Sequence, residues 1–160
     1  FSLGDQLYGL PQSLDLPVLY YHRDTVAEPA QTYQDLMVQA QQGVPVAINT
    51  DIVNLFWGAS AFGCQPCQTG QFFGELSEPL IGRFDLNDWR AWLSSAAQTD
   101  HFVFSADQAS LEEMFLAGEV AYLVAGPTFL NDAQASLGIA NVGLVKLPLG
   151  REQQGSKPFL

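Results

Sequence analysis

Positive charge is what this sequence has least of. Six Lys and Arg stand against 17 Asp and Glu in 160 residues, giving a formal net charge of −11. Lys146 and Lys157 are the only lysines. A nucleic-acid-binding protein must neutralise phosphates with basic side chains, so that class of partner is excluded. The acidity reads as a solvated, self-repelling surface rather than an acidic functional patch. Long apolar runs are missing too. None approaches the roughly 20 residues that a membrane-spanning helix needs. Histidine is scarce (His22 and His101), and each reads as a strand-end or loop residue. No Ser-His-Asp set, no phosphate-cradling glycine loop and no cluster of metal ligands can be assembled from the spacing. No cofactor is implied and no enzymatic activity is expected. A signal peptide is also missing, and the chain begins with Phe1 rather than Met. The expectation is a trimmed segment of a longer protein.

Cysteine is limited to Cys64 and Cys67, in "GCQPCQTG". Three readings stand beside one another. A local disulfide closing an exposed Gly/Pro-rich loop would favour an extracytoplasmic home. A redox dithiol normally follows a strand and opens a helix, whereas this pair follows a helical stretch and is trailed by Gly70 and Gly74. Zinc would need four ligands, and two cysteines with the distant His22 and His101 make a poor set. The disulfide fits its surroundings best.

What is present is a core. Apolar residues make up 48% of the chain and aromatics 12%, enough for one compact domain and too short a chain for two large ones. "PVLYYHR" (17–23) reads as a strand. In the next stretch Thr32 and Asp35 form a capping-box pattern, Tyr33, Leu36, Met37 and Ala40 fall at helical spacing, and Gly43 supplies the stop. "VPVAINT" is a second strand. "DIVNLFWGASAFG" predicts a well-buried helix from Asp51 or Ile52 to Phe62. Residues 63–82 carry the cysteines and read as a loop or hairpin excursion. A helix with Asp85 as N-cap follows, with Leu86, Trp89, Leu93 and Ala96 on one face and Trp92 widening it. Both tryptophans read as core rather than as a ligand platform. "DQASLEEMFLAGE" is a further helix, ending at Gly118.

The stretch "EVAYLVAGPTF" (119–129) is the most informative. Its apolar run suits a strand covered on both faces. Gly126 lets the backbone turn, and Pro127, lacking an N–H, suits the first helical position. The helix that follows is stopped by Gly138, and "NVGLVKLPL" is a last strand. A strand-to-helix junction of this kind offers free N–H groups at the carboxyl end of the strands, where α/β proteins hold ligands and where an anion or a hydroxyl would sit. The whole order is strand, helix, strand, three helices, strand, helix, strand. It implies a layered α/β domain with a largely parallel sheet.

Three blocks in this order carry a resemblance. "LYGLPQSLDLPVLYYHRDTVAEPAQTYQDL" is similar to a pattern of a Tyr/Leu-Pro turn, a strand ending in Tyr-Asn-Lys-Asp and then P-x-T-W-x-E-L. "SLEEMFLAGEVAYLVAGPTF" is similar to a helix, F-x-x-G-x-A-A-M, a strand and G-P/G-W. "VGLVKLPLGREQQGSKPF" is similar to G-V-x-P-L-P-x-G-x-x-G. Together they span nearly the whole chain and resemble the second lobe of maltose-binding-protein-like extracytoplasmic solute-binding proteins. The resemblance implies an α/β/α lobe of the type 2 periplasmic-binding-protein fold, its central segment, with residues 1–160 forming a single lobe and the partner lobe absent. It also implies reversible capture of a small polar solute, in this family a carbohydrate, outside the cytoplasm at the periplasm or a membrane-anchored cell surface. Delivery would be to the membrane subunits of an ABC importer.

Carried onto this sequence, the cleft-facing positions are Asp15, Asp51, Asn54, Gly126 and Thr128. Carboxylates and amides suit sugar hydroxyls because they make paired hydrogen bonds. Ordinary roles compete: Asp51 as a helix N-cap, Asp15 as a turn residue. Thr128 stands where oligosaccharide-binding members place a stacking aromatic, which argues against a maltodextrin-like ligand. Two other functions remain open. A sensor or interaction module could reuse the lobe, and a redox protein could use Cys64 and Cys67. An isolated lobe would expose apolar surface and tend to homodimerise.

Overall fold

Alternating apolar residues build the centre of the molecule. In the computed structural model, residues 16–62 and 86–150 are described, together with the backbone of two short paired strands, Ser2–Leu3 (β1) and Gln6–Leu7 (β2). Asp15, Cys64 and Cys67 lie outside the described residues. The elements that follow are Val18–His22 (β3), Tyr33–Gln41 (α1), Val46–Asn49 (β4), Ile52–Leu55 (α2), a 3₁₀ stretch Phe56–Phe62, Asn87–Ala96 (α3), Phe102–Ser105 (β5), Gln108–Leu116 (α4), Tyr122–Ala125 (β6), Phe129–Leu137 (α5) and Val142–Val145 (β7).

Five strands form one sheet in the order β5-β4-β6-β3-β7. β4 pairs parallel with β5 and with β6, whereas β3 pairs antiparallel with both β6 and β7. Four strands therefore run one way and β3 alone runs the other, so the sheet is largely parallel in strand direction. Period-two alternation sends side chains to opposite faces. Leu19, Val46, Ile48, Phe102 and Tyr122 pack on one side with Tyr33, Leu36, Met37 and Ala40 of α1 and with Trp89 and Ala96 of α3. Tyr20, Ala47, Leu123, Ala125 and Val142 pack on the other with Leu111 and Phe115 of α4 and Phe129 and Ala133 of α5. The result is a helix–sheet–helix sandwich with a core on each face.

Local signals account for most boundaries. The Thr32 hydroxyl accepts from the Asp35 N–H (3.0 Å) and the Asp35 carboxylate accepts from the Thr32 N–H (2.8 Å), a complete capping box. Gly43, Gly118 and Gly138, the three expected helix stops, all have positive φ (98°, 76° and 85°), where a side chain would be strained. The Tyr122 hydroxyl, at the start of β6, accepts from the Ala30 N–H and donates to Gln39 Oε1, both at 2.8 Å. Burial pushes its pKa above the usual tyrosine value.

Three expectations are corrected. The helix expected over 51–62 is a single turn, Ile52–Leu55, continued as a 3₁₀ stretch to Phe62. An internal glycine, Gly58, weakens the α-form in that stretch. Gly58 also lies so close beneath Trp89 that a Cβ would collide with the indole, so the backbone tracks the ring instead of its own helical period. The third helix begins at Asn87 with Leu86 as a cap that makes no side-chain bond; Asp85 lies outside the described residues. Most important, β5 was not expected at all. "FVFS", between two helices, carries no assignment in the sequence reading, yet its four residues pair in full with β4, from Val46↔Phe102 to Asn49↔Ser105.

Both tryptophans are built into the core side. Trp89 is buried, and the half-buried Trp92 stacks on it with ring centroids 5.3 Å apart and 10° between planes. Trp92 Nε1 donates to the Tyr33 carbonyl at 3.3 Å.

Candidate functional site

The carboxyl ends of β5, β4 and β6 lie side by side, and the chain leaves each of them through polar residues. Asn49 ends β4, Ser105 ends β5 opposite it, and Ala125 ends β6 opposite Val18 of β3. Beyond these ends come Thr50-Asp51, Ala106-Asp107 and Gly126-Pro127-Thr128. The edge is thus lined from adjacent strands rather than from one loop. Concave sites in open α/β sheets form at such ends because the strand-to-helix connections diverge there.

Each connection is closed by a side chain. The Asp51 N–H donates to Asn49 Oδ1 at 2.7 Å, an Asx turn that swings the chain out of β4, and the Leu55 N–H donates to the Asp51 carbonyl at 2.8 Å to start α2. The Asp107 N–H donates to Ser105 Oγ at 3.1 Å, and Asp107 Oδ1 accepts from the Ala109 N–H at 3.1 Å as the cap of α4. The Thr50 N–H donates to the Ser105 carbonyl at 2.8 Å, which ties the first two connections together. The Tyr20 hydroxyl donates to the Gly126 carbonyl at 2.9 Å and anchors the third to β3. Under this edge Asn49, only 5% exposed, donates through Nδ2 to Gln108 Oε1 at 2.8 Å.

Asp51, Asn54, Gly126 and Thr128 meet on this edge: the first two follow β4, the others follow its neighbour β6. Asp51, Asn54 and Thr128 are exposed and Gly126 is half-buried. The Asp51 backbone forms the turn and leads directly into α2.

Two of the N–H groups expected to be free at the start of α5 are taken. The Phe129 N–H donates to the Gly126 carbonyl (3.3 Å) and the Leu130 N–H to the Pro127 carbonyl (3.2 Å), so these donors are consumed in a tight turn. Thr128 is already in helical conformation and makes no capping bond. Proline's fixed φ favours this tight entry. The junction presents the exposed Thr128.

Asn49, Ser105, Asp107 and Gln108 are the residues that sequence reasoning missed. The signal was the same in both places, a polar residue closing a short apolar run and an aspartate two positions on ("INTD", "FSAD"). The second was hidden because β5 was not read as a strand. Among the described residues no group of three metal-ligating side chains gathers. His22 is buried at the opposite end of β3, where Nε2 donates to the Phe115 carbonyl at 2.8 Å. A separate hollow of about 450 Å³ lies between α1, α3 and the chain beyond β7, lined among others by Tyr33, Phe62, Asp88 and Trp92; it includes none of the edge residues.

Comparison with known proteins gives a consistent result. The family model described as bacterial extracellular solute-binding protein matches residues 1–160. Among solved structures, the GacH receptor of Streptomyces glaucescens GLA.O, studied unliganded and with acarbose, superposes with a TM-score of 0.70 at 18% identity over 96% of this chain. A cyclo/maltodextrin-binding protein complexed with maltotetraose gives 0.64 at 20% identity, again over 96% of this chain. The chain spans 42% of the length of each of these two structures. At such identities the likeness shows the fold. A comparison with curated protein sequences finds no match.

Proposed function

Because the chain belongs to the bacterial extracellular solute-binding proteins, we propose that residues 1–160 form one lobe of a two-lobed receptor that captures a small polar solute, a carbohydrate, outside the cytoplasm. The observation that carries this reading is the carboxyl edge, where Asp51 and Asn54 from one strand exit and Gly126 and Thr128 from the next converge. Hydroxyls, amides and carboxylates there suit the alternating donors and acceptors of a sugar. The sugars named for the two structural neighbours support the ligand class. The small Thr128 leaves room for a compact saccharide, or for one stacked on an aromatic of the partner lobe. The role is reversible binding without chemistry. Closure of the lobes would bury the solute, and the membrane subunits of an ABC importer would receive it.

The test is calorimetry on the full-length protein with a panel of mono- and oligosaccharides, maltotetraose included, comparing the parent with Asp51→Ala and Thr128→Ala. Each substitution is expected to weaken the sugar that binds by about tenfold, the cost of one lost hydrogen bond to a polar partner. If both variants bind as the parent does, the edge is not the site. The isolated chain, with half the contacts, is expected to bind weakly and to self-associate. Ile139 is 73% exposed, and Leu16, Val38 and Leu144 are exposed as well. A single monomeric species in sedimentation at all concentrations would count against the second expectation.

A further inference from the structure

We infer that Gln108 is a positioning residue for the binding edge: it sets which way the buried Asn49 amide faces, and through it where the Asp51–Asn54 turn stands. The inference rests on the proposed location of the ligand, but its geometry stands apart from it. Gln108 Nε2 donates to the Val124 carbonyl (3.3 Å) and to Glu112 Oε1 (3.1 Å), while its Oε1 accepts from Asn49 Nδ2 (2.8 Å). A backbone carbonyl can only accept, and so can an ionised carboxylate. Both hydrogens of the Gln108 amide are therefore committed, and its oxygen is forced toward Asn49. Asn49 must then meet it with nitrogen, which leaves Asn49 Oδ1 for the Asp51 N–H at 2.7 Å.

The chain of bonds thus has one allowed direction, from Asn49 through Gln108 to Glu112, and it joins β4, α4 and β6 at one point. A flipped Asn49 would set its NH₂ against the Asp51 N–H, donor against donor. The turn would open and α2 would lose its starting point. Because Asn49 is buried, its amide has little water to turn to, and the cost of misorientation falls on the turn.

The experiment uses the full-length protein with Gln108→Met, Gln108→Glu and the pair Gln108→Glu/Glu112→Gln, reading amide hydrogen exchange at Asp51 together with sugar affinity on the same carbohydrate panel. In Gln108→Glu one oxygen can still accept from Asn49, but the other is set against the Val124 carbonyl and Glu112 Oε1, acceptor against acceptor, which drives the side chain off Asn49. Exchange at Asp51 is expected to rise about tenfold or more while Ala47 and Ile48 keep their protection. Sugar affinity falls about tenfold. Gln108→Met does the same without adding charge. In the pair, the amide introduced at position 112 donates to the new carboxylate and holds it in reach of Asn49, leaving only the Val124 carbonyl facing an acceptor; exchange at Asp51 and affinity return to within about threefold of the parent. Unchanged exchange at Asp51 in both single variants overturns the inference, as does a general loss of thermal stability with Asp51 no more affected than Ala47. If Asp51 loosens and is rescued but affinity never changes, the positioning holds and the proposed location of the ligand fails. If no sugar binds the parent, the exchange arm still decides.

Discussion

The two ends of the sheet are closed by different means. At the end where helices return to strands, the turns after α1, α4 and α5 rest mainly on backbone: Gly43, Gly118 and Gly138 take positive φ, the Gly43 and Gly118 N–H groups donate to the Ala40 and Phe115 carbonyls, and only after α5 does a side chain add a bond, from Asn141 Nδ2 to the Leu137 carbonyl. At the end where strands leave for helices, the turns are made by side chains: Asn49 holds the Asp51 N–H, Ser105 the Asp107 N–H, and Tyr20 the Gly126 carbonyl. A turn closed by glycine and backbone can change only by breaking. A turn closed by side chains can be retuned one residue at a time while the strands stay in place. On the proposed reading, recognition uses the second end and fold stability rests more on the first.

That division can be broken experimentally, and the largest effect is expected at the backbone-closed end. Phe115 is fully buried at the end of α4, edge-on to Tyr20 and Phe129 and against the His22 ring at 4.2 Å. Phe115→Ala should cost about 3–5 kcal/mol in denaturant unfolding, with sugar affinity per folded molecule unchanged; a parallel fall in affinity would erase the distinction. Next is Tyr122→Phe, which strips the Ala30 N–H and Gln39 of their partner and should cost about 1–3 kcal/mol. The same residue gives a pH signature. Burial raises its folded pKa above the ordinary value of 10.0, so the unfolded chain ionises first. Its contribution is complete below pH 10 and is lost as pH climbs toward the folded value. Tyr122→Phe should flatten that alkaline decline in melts at successive pH values.

Smaller effects sharpen the contrast. Gly118 has φ of 76° with nothing within 4 Å of an added Cβ, so Gly118→Ala isolates backbone strain. About 1–2 kcal/mol is expected, read as a lower midpoint with binding intact. The smallest stability change is at the other end: Asp107→Ala removes the cap of α4 for about 1 kcal/mol. It should nevertheless alter sugar affinity, because α4 starts on the edge. Unchanged affinity there would show that the edge does not reach as far as β5.

Much of the architecture was legible because its signals are local. Thr32 with Asp35 names a helix start within four residues, three glycines name helix stops, and the uninterrupted apolar run ending at Ala125 names a two-sided strand. β5 was not legible because four residues between two helices carry too short a pattern, and only pairing with β4 makes "FVFS" a strand. The 3₁₀ stretch was illegible for a different reason: Gly58 yields to Trp89, a residue distant in sequence. On the candidate edge, the strand ends that Asp51, Asn54, Gly126 and Thr128 follow could be read from the sequence, and β4 and β6 are neighbours. The polar set beneath them could not, since nothing local links Asn49 to Gln108, 59 positions on. Two of the donors expected after Pro127, the Phe129 and Leu130 N–H groups, are taken up by the turn that proline favours.

The reversed strand carries a consequence for how the chain is made. β3 emerges early, at residues 18–22, yet its neighbours are β6 and β7; Tyr20 pairs with Leu123 and Leu144. The loops to be closed are about a hundred residues long, and their entropy must be met before either ladder forms. β4 can find β5 while β3 still has no partner. During synthesis the apolar segment "VLYY" therefore waits, with both strand edges open, until most of the domain has followed it. Slow folding and a need for protection from edge-to-edge association in that interval follow from the long stretch of chain between β3 and its partners.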